Sequence, residues 1–298
     1  MAELDVAAAV ACARARNPEL SAICTPRYEA ALAAPAGGGP LAGVPYTLKD
    51  TWDVAGLPTS LGHAPWAARA PAESGPVHRT FEAAGAVLVG KTNMGDLGIT
   101  PESQSYVGGV TRNPLDASRT AGGSSGGAAA AVAAGMAAFD WGTDYGGSVR
   151  LPAAWCGVVG LRLSRSAWPV PREGWLPPLR RIAWLSAMGP IARDLATCRR
   201  VLDAAAPLRA SSPPLPPLRG ALVIAPDRSS AGAWPDFDAE ARAALDAAGV
   251  SSWLAPLPSP RAMDRTFVAL IASHAVELLR GRGPRLGPVL SALTVGRL

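Results

Sequence analysis

The sequence predicts an α/β fold: a mixed, twisted central sheet with helices on both faces, built as one domain. Two observations carry this. The chain has 298 residues, 49% apolar and only 17% charged, a balance that supports a sizeable core and excludes a disordered chain. Apolar strand-like runs such as AVLVG at 86–90 and GALVIAP at 220–226 also alternate with helix-like segments such as VHRTFEAAG at 77–85, the rhythm of α/β architecture.

Taken in order, residues 4–17 read as an amphipathic helix ended by Asn17–Pro18, and YEAALAA as a second helix, followed by the loop PAGGGP. GVPYTLKD is a short strand entering the core. VHRTFEAAGAVLVGKTNM gives a helix, a turn at Gly85 and a buried strand. TRNPLDASRTAGGSSGG reads as a long polar loop, and AAAAVAAGMAA as a helix of very small side chains fit for close packing. AAFDWGT is a strand, DYGGS a tight turn, and SVRLPAAWCG opens the next element. MGPIARDLATCRRVLDAAAP reads as a turn into a helix. The core spans 40–205, a Pro-rich connection covers 206–219, and 220–298 forms a shortened C-terminal part with strand, helix, strand and a last helix, RTFVALIASHAVELLRG. There is no internal repeat.

Composition excludes several function classes. The net charge is +5, but the arginines are scattered, with tight pairs only at Arg180/Arg181 and Arg199/Arg200. Without a basic stripe carrying interleaved aromatics, nucleic acid is not an expected partner. Four cysteines, Cys12, Cys24, Cys156 and Cys198, are too few and too dispersed for a disulfide framework or a CxxC metal site. No metal or cofactor is expected, and a reducing cytoplasm is the expected setting. The N-terminal stretch lacks a basic n-region and a continuous apolar run, so it does not read as a signal peptide, and no apolar run is long enough to span a membrane.

Lysine is nearly absent. Of 28 basic residues 26 are arginine, and the two lysines are Lys49 and Lys91. Arginine stays charged in a protein, whereas a buried lysine can lose its proton. Two glycine-flanked serine sites stand beside this: GGSSGG with Ser124 and Ser125, and DYGGSVR with Ser148. The amides of Tyr145, Gly146, Gly147 and Ser148 can form a nest that stabilises an anion, either a phosphate or the oxyanion of a tetrahedral intermediate. The phosphate reading lacks the Gly-Lys-Ser/Thr and GxGxxG patterns that accompany it. A serine closing such a nest is placed to attack a carbonyl, and needs a base. His63, His78 and His274 stand in isolated contexts. A neutral lysine serves if burial lowers its pKa by roughly three units, about 4 kcal/mol. If the segment is a strand, Asp50 points away from Lys49 and need not pair with it.

Together GVPYTLKDTWDVAGLPTS, AVLVGKTNM, TRNPLDASRTAGGSSGGAAAAVAAG and GTDYGGSVRLPAAWCGVVGLR resemble the amidase signature family, from near the N-terminus to about residue 260. The resemblance implies a Ser–cis-Ser–Lys triad with Ser148 as nucleophile, Ser124 as bridging serine after a cis Gly123–Ser124 bond, and Lys49 as base. It implies hydrolysis of a small-molecule amide through a seryl acyl-enzyme, with the amides of Tyr145 to Ser148 as oxyanion hole and Ser125 supporting the relay. Asp144 and Arg150 would brace the turn, and 92–105 would line the acyl pocket. Tyr145 stands where a smaller residue is common, and Ala121 where proline is frequent. Family members are longer, so the C-terminus reads as shortened; a homodimer is possible. Two rivals stay open: the glutaminase-type component of a tRNA-dependent amidotransferase, which would involve nucleic acid, and a catalytically silent, truncated binding protein. Several residues have plainer readings: Ser124 and Ser125 as helix caps, Lys91 as structural, His63 as a loop residue, and Cys156 as core.

Overall fold

The apolar strands assemble into one six-stranded mixed sheet. The computed structural model describes residues 4–208, apart from 36, 167 and 171–185, and a few isolated positions near 245. The chain divides into two compact units, one of Met1–Ala210 with Leu278–Leu298 and one of Ser211–Glu277. The expected Pro-rich connection beyond 208 and the strand–helix–strand and last helix of 220–298 lie outside the described residues.

Helix α1 (Val6–Leu20) is capped by Asp5, whose carboxylate accepts from the Ala8 amide at 2.7 Å. The expected stop at Asn17–Pro18 is corrected: Pro18 lies inside the last turn. Proline there costs one hydrogen bond to Arg14, but both residues are exposed, so water can serve that carbonyl. The helix ends instead at Ser21, left-handed at φ 49°, and the Asn17 side chain ties down the exit by accepting from the Ala22 and Ile23 amides at 2.9 and 2.7 Å. Strand β1 (Ile23–Pro26) runs antiparallel to β3 (Val87–Thr92), with helix α2 (Tyr28–Leu32) following β1 and helix α3 (Pro76–Ala83) preceding β3. Strand β2 (Pro45–Lys49) lies parallel between β3 and β8 (Phe139–Asp144).

The stretch read as a polar loop, 111–127, carries a short ladder of β6 (Arg112–Asn113) with β7 (Asp116–Thr120), and another, β4 (Gln104–Ser105) with β5 (Gly109–Val110), lies just before it. These strands are too short and too exposed to leave an apolar alternation in the sequence. Helix α4 (Gly126–Ala134) and helix α5 (Arg150–Cys156) follow the two serine sites. Before helix α6 (Leu195–Ala204) the expected turn is a strand, β10 (Ala187–Ala192), paired with β8 and with the short β9 (Val159–Gly160). Gly189–Pro190 hides it: that dipeptide reads as a turn, whereas here Pro190 lies opposite Trp141 and a side chain at 189 would collide with the Leu161 carbonyl. The order across the sheet is β1–β3–β2–β8–β10–β9.

Two apolar clusters form, each against helices. Ala9, Val10 and Ala13 of α1 pack with the alanines of α4, Val149, Ala153 and Cys156. Tyr46, Leu48, Phe139 and Trp141 of the strands pack with Val77 and Phe81 of α3 and Val201 of α6. Period-two alternation along β8 therefore leaves Asp140, Gly142 and Asp144 off the Phe139–Trp141 face.

The small side chains of α4 let it approach the sheet closely. A Cβ at Gly127 would lie 2.4 Å from the Asn93 carbonyl oxygen and 2.5 Å from that of Ala22, both backbone. Gly127→Ala should cost about 2–3 kcal/mol in chemical denaturation, since neither main-chain segment can yield as a side chain would. A stability equal to that of the parent would show that α4 can move outward freely.

Candidate active site

Strand β2 delivers Lys49 and β3 delivers Lys91, and both are completely buried. A one-residue register step between β2 and β3 sets Lys91 opposite Leu48 and Thr92 opposite Lys49. Neighbours on one strand face opposite ways, so the two amines part company. Lys91 Nζ pairs with Asp50 at 2.6 Å and donates to the Pro58 carbonyl at 2.6 Å and to Thr59 Oγ1 at 2.7 Å. Asp50 is thus engaged away from Lys49, with Ser60 donating to it as well.

Lys49 Nζ meets only neutral oxygens: Ser124 Oγ at 2.9 Å, Thr143 Oγ1 at 3.0 Å and the Thr143 carbonyl at 3.3 Å. No carboxylate forms an ion pair with it among the described residues. Burial lowers its pKa to about 7, although the more distant charges of Asp140 and Asp144 oppose the change. At that value a neutral amine can accept the proton of the hydroxyl it touches. Thr143 was not anticipated from the sequence; its one signal is its place directly before the DYGGS turn.

The loop between β7 and α4 presents Ser124, and the Gly123–Ser124 peptide bond is cis. The Ser124 carbonyl accepts from the Gly95 amide and from Ser103 Oγ, each at 3.2 Å, while Ser103 Oγ accepts from the Gly126 amide at 2.7 Å. Gly98 lies over the Ser124 hydroxyl, where a Cβ would sit 3.8 Å from Ser124 Oγ in ordinary contact. Residues 95–103 therefore wrap Ser124. Ser125 takes the N-cap position of α4, but its side chain makes no cap bond and donates to the Thr143 carbonyl at 3.5 Å.

The turn after β8 carries Ser148, half-buried, and its carbonyl accepts from the Ser125 amide at 3.1 Å. That bond holds the two serine turns side by side. Asp144, wholly buried, organises the turn from within. It accepts from the Gly147 amide at 2.8 Å, the Val149 amide at 3.2 Å, and Arg150 at 2.9 and 3.0 Å, and Arg162 approaches at 3.5 Å. Burial works against the Asp144 charge, but Arg150 and these amides outweigh it and hold the carboxyl below its usual range. The expected nest of four amides is corrected here: the Gly147 N–H points inward to Asp144, with Gly147 itself at φ +114°, a conformation that favours glycine. The Gly146 and Ser148 amides donate to no described residue. The Tyr145 side chain is engaged with Ser186, and burial raises its pKa.

The other singled-out residues lie elsewhere. His63 contacts Asp96 at 3.1 Å and packs edge-on against Trp66, and His78 contacts the Tyr46 hydroxyl at 2.6 Å. Cys156 is buried in the first apolar cluster. His274 lies outside the described residues. Among the described residues no group of His, Cys, Asp or Glu could hold a metal ion, and no helix is long and apolar enough to cross a membrane.

A mixed sheet that brings a buried lysine, held in no ion pair among the described residues, onto a serine at the start of a glycine-rich helix defines a class. The model of the Amidase family matches residues 6–272, and the chain belongs to that family. Among solved structures it is similar to native peptide amidase from Stenotrophomonas maltophilia (TM-score 0.74, 29% identity, 90% of this chain and 61% of that one). It is similar too to 6-aminohexanoate cyclic dimer hydrolase with bound substrate (TM-score 0.71, 30% identity, 84% of this chain and 56% of that one). By sequence it is 48% identical over 171 residues to AmiB2 of Mycobacterium tuberculosis, whose name assigns it to the amidases, covering 55% of this chain and 34% of that protein. It is 40% identical over 194 residues to the glutamyl-tRNA(Gln) amidotransferase A-subunit of Moorella thermoacetica, covering 62% of this chain and 38% of that protein. The matched stretch thus spans little more than a third of the length of these two relatives.

Proposed function

We propose that the protein hydrolyses a carboxylic amide to a carboxylate and an amine or ammonia through a seryl acyl-enzyme, with Ser148 as nucleophile, Ser124 as proton bridge and Lys49 as base. The observation that carries this is the Lys49 amine, fully buried, 2.9 Å from Ser124 Oγ and free of acidic contacts. In the neutral form it takes the Ser124 proton as Ser124 takes that of Ser148. The Ser148 oxygen then bonds to the amide carbon, and the Gly146 and Ser148 amides receive the oxyanion. The ammonium returns its proton through Ser124 to the nitrogen of the leaving group, and the C–N bond breaks. Water, deprotonated by the same relay, releases the carboxylate. Ser125 and Tyr145 border the reacting carbonyl. A small-molecule amide in a reducing cytoplasm fits this reading, and the four cysteines are unpaired.

The likeness to the amidotransferase A-subunit favours a second reading, in which the amide is glutamine and the ammonia passes to a partner protein. Activity on glutamine that appears only with a partner and an aminoacyl-tRNA would select it over simple amide hydrolysis.

A fluorophosphonate probe tests the shared chemistry. The adduct is expected on Ser148, and the labelling rate should rise with pH through a midpoint of about 7, as the Lys49 ammonium loses its proton. Well-folded protein that forms no adduct on Ser148 would instead be the silent, ligand-binding relative.

A further inference from the structure

Asp140 sits in the middle of β8, opposite Thr47 of β2, with no exposure to solvent. Its Oδ2 accepts from Thr92 Oγ1 at 3.0 Å, and Thr92 lies directly opposite Lys49 across the β2–β3 pairing. Its Oδ1 and the facing Thr47 Oγ1 make no well-formed hydrogen bond among the described residues. A buried carboxyl group is costly, and the Thr47 and Thr92 hydroxyls and the Lys49 backbone amide offset only part of that cost. Thr47 and Lys49 are two residues apart on one strand and share a face. The carboxyl group therefore lies in the layer beside the Lys49 side chain without forming an ion pair with it.

The charged groups around this layer are few. Lys49 faces Asp140 from β2, and Asp144 lies further along β8 on the same face. Lys91 of β3 is engaged with Asp50. Helix α4 consists of Gly, Ala and Val, and β10 of Ala, Met, Gly, Pro and Ile, so neither contributes a charge. Burial pushes the Asp140 carboxyl up to about 6, with the nearby Thr47 and Thr92 hydroxyls and the Lys49 charge opposing it. The two groups thus titrate in neighbouring ranges, and each one's charge favours the charge of the other.

We propose that Asp140 is a positioning residue for the Lys49 amine: its carboxyl group, held by Thr92 from the next strand but one, sets how readily the amine releases its proton and hence where on the pH scale the base is available. The idea rests on the reading of Lys49 as base. As Asp140 ionises, it stabilises the ammonium across a dry interior and restrains the neutral amine from forming at lower pH. The full effect of burial on Lys49 is thereby held in check.

The two-lysine composition makes a direct test possible. Protein labelled with ¹³Cε-lysine has two lysine signals, and the pH titration of the Lys49 signal can be followed in the full chain. Asp140→Asn keeps an acceptor for Thr92 and removes the charge. It should move the Lys49 midpoint to lower pH by on the order of one pH unit, while an unmoved Lys91 signal reports intact surroundings. Thr92→Val, which removes one donor to the carboxylate, should move the midpoint in the same direction by less. The acid limb of fluorophosphonate labelling should shift in parallel. An unchanged Lys49 midpoint in folded Asp140→Asn overturns the proposal; if that variant does not fold, an unchanged midpoint in Thr92→Val does so. A shifted midpoint in protein that never labels at Ser148 upholds the effect of Asp140 and sinks the amidase reading instead.

Discussion

Lys49→Met is expected to lower amide turnover by on the order of 10³–10⁴-fold and yet to make the protein more stable at pH 6. The two effects have one origin. Unfolded, the lysine holds its proton up to 10.5, whereas folded it does so only below about 7. Between those values the unfolded chain binds more protons, so stability rises with pH across that window and the penalty is complete below it. At about 1.4 kcal/mol per pH unit the penalty is on the order of 4–5 kcal/mol. Methionine removes it, fills a similar volume, and leaves three oxygens, Ser124 Oγ, Thr143 Oγ1 and the Thr143 carbonyl, each short of one partner, an offset of about 1 kcal/mol or less apiece. A net gain of roughly 1–3 kcal/mol at pH 6 follows from these terms. The rise in stability from pH 7 to 9 should also flatten in the variant. Thermal and urea unfolding at several pH values measure both. A variant that loses stability at pH 6 while keeping the parent's pH slope would mean that the amine stays charged in the folded protein. Lys49→Arg should be inactive as well, because guanidinium keeps its proton.

Ser148→Ala and Asp144→Ala should both abolish turnover but separate cleanly on stability. The Ser148 hydroxyl makes no hydrogen bond to another described residue and is half-buried, so its loss should change stability by no more than about 0.5 kcal/mol. Asp144 is different. Its removal strands the Gly147 and Val149 amides and releases Arg150 and Arg162 from their common carboxylate. Breaking a buried charged network of this kind costs about 3–5 kcal/mol, reduced somewhat because both arginines reach solvent. Denaturant midpoints together with residual activity decide the matter. Appreciable turnover in Ser148→Ala would remove the nucleophile assignment, and a fully stable Asp144→Ala would show that the turn holds its shape without its central acceptor.

Much of this was legible in the chain. Strands β2, β3 and β8 and helices α3 and α4 follow from short apolar runs bounded by glycine and proline, because burial fixes their periodicity locally. The scarcity of lysine reduced the search for a neutral amine to two positions, and the glycine-flanked serines marked both turns. Strand β10 stayed hidden behind Gly189–Pro190, because sheet pairing overrode a local turn rule, and α1 ran past its expected stop because water can serve the carbonyl that Pro18 leaves unpaired.

The sequence by itself determined which groups were available: two lysines, the paired serines at 124 and 125, and a serine closing a glycine turn. The tertiary structure is what gives the two lysines different surroundings. A one-residue step in the pairing of β2 and β3 sends Lys91 to Asp50 and Lys49 to Ser124, and sequence spacing carries no record of pairing register. The same holds for the Gly147 amide, turned inward by Asp144, and for Asp140, whose place beside Lys49 exists only once two distant strands lie edge to edge.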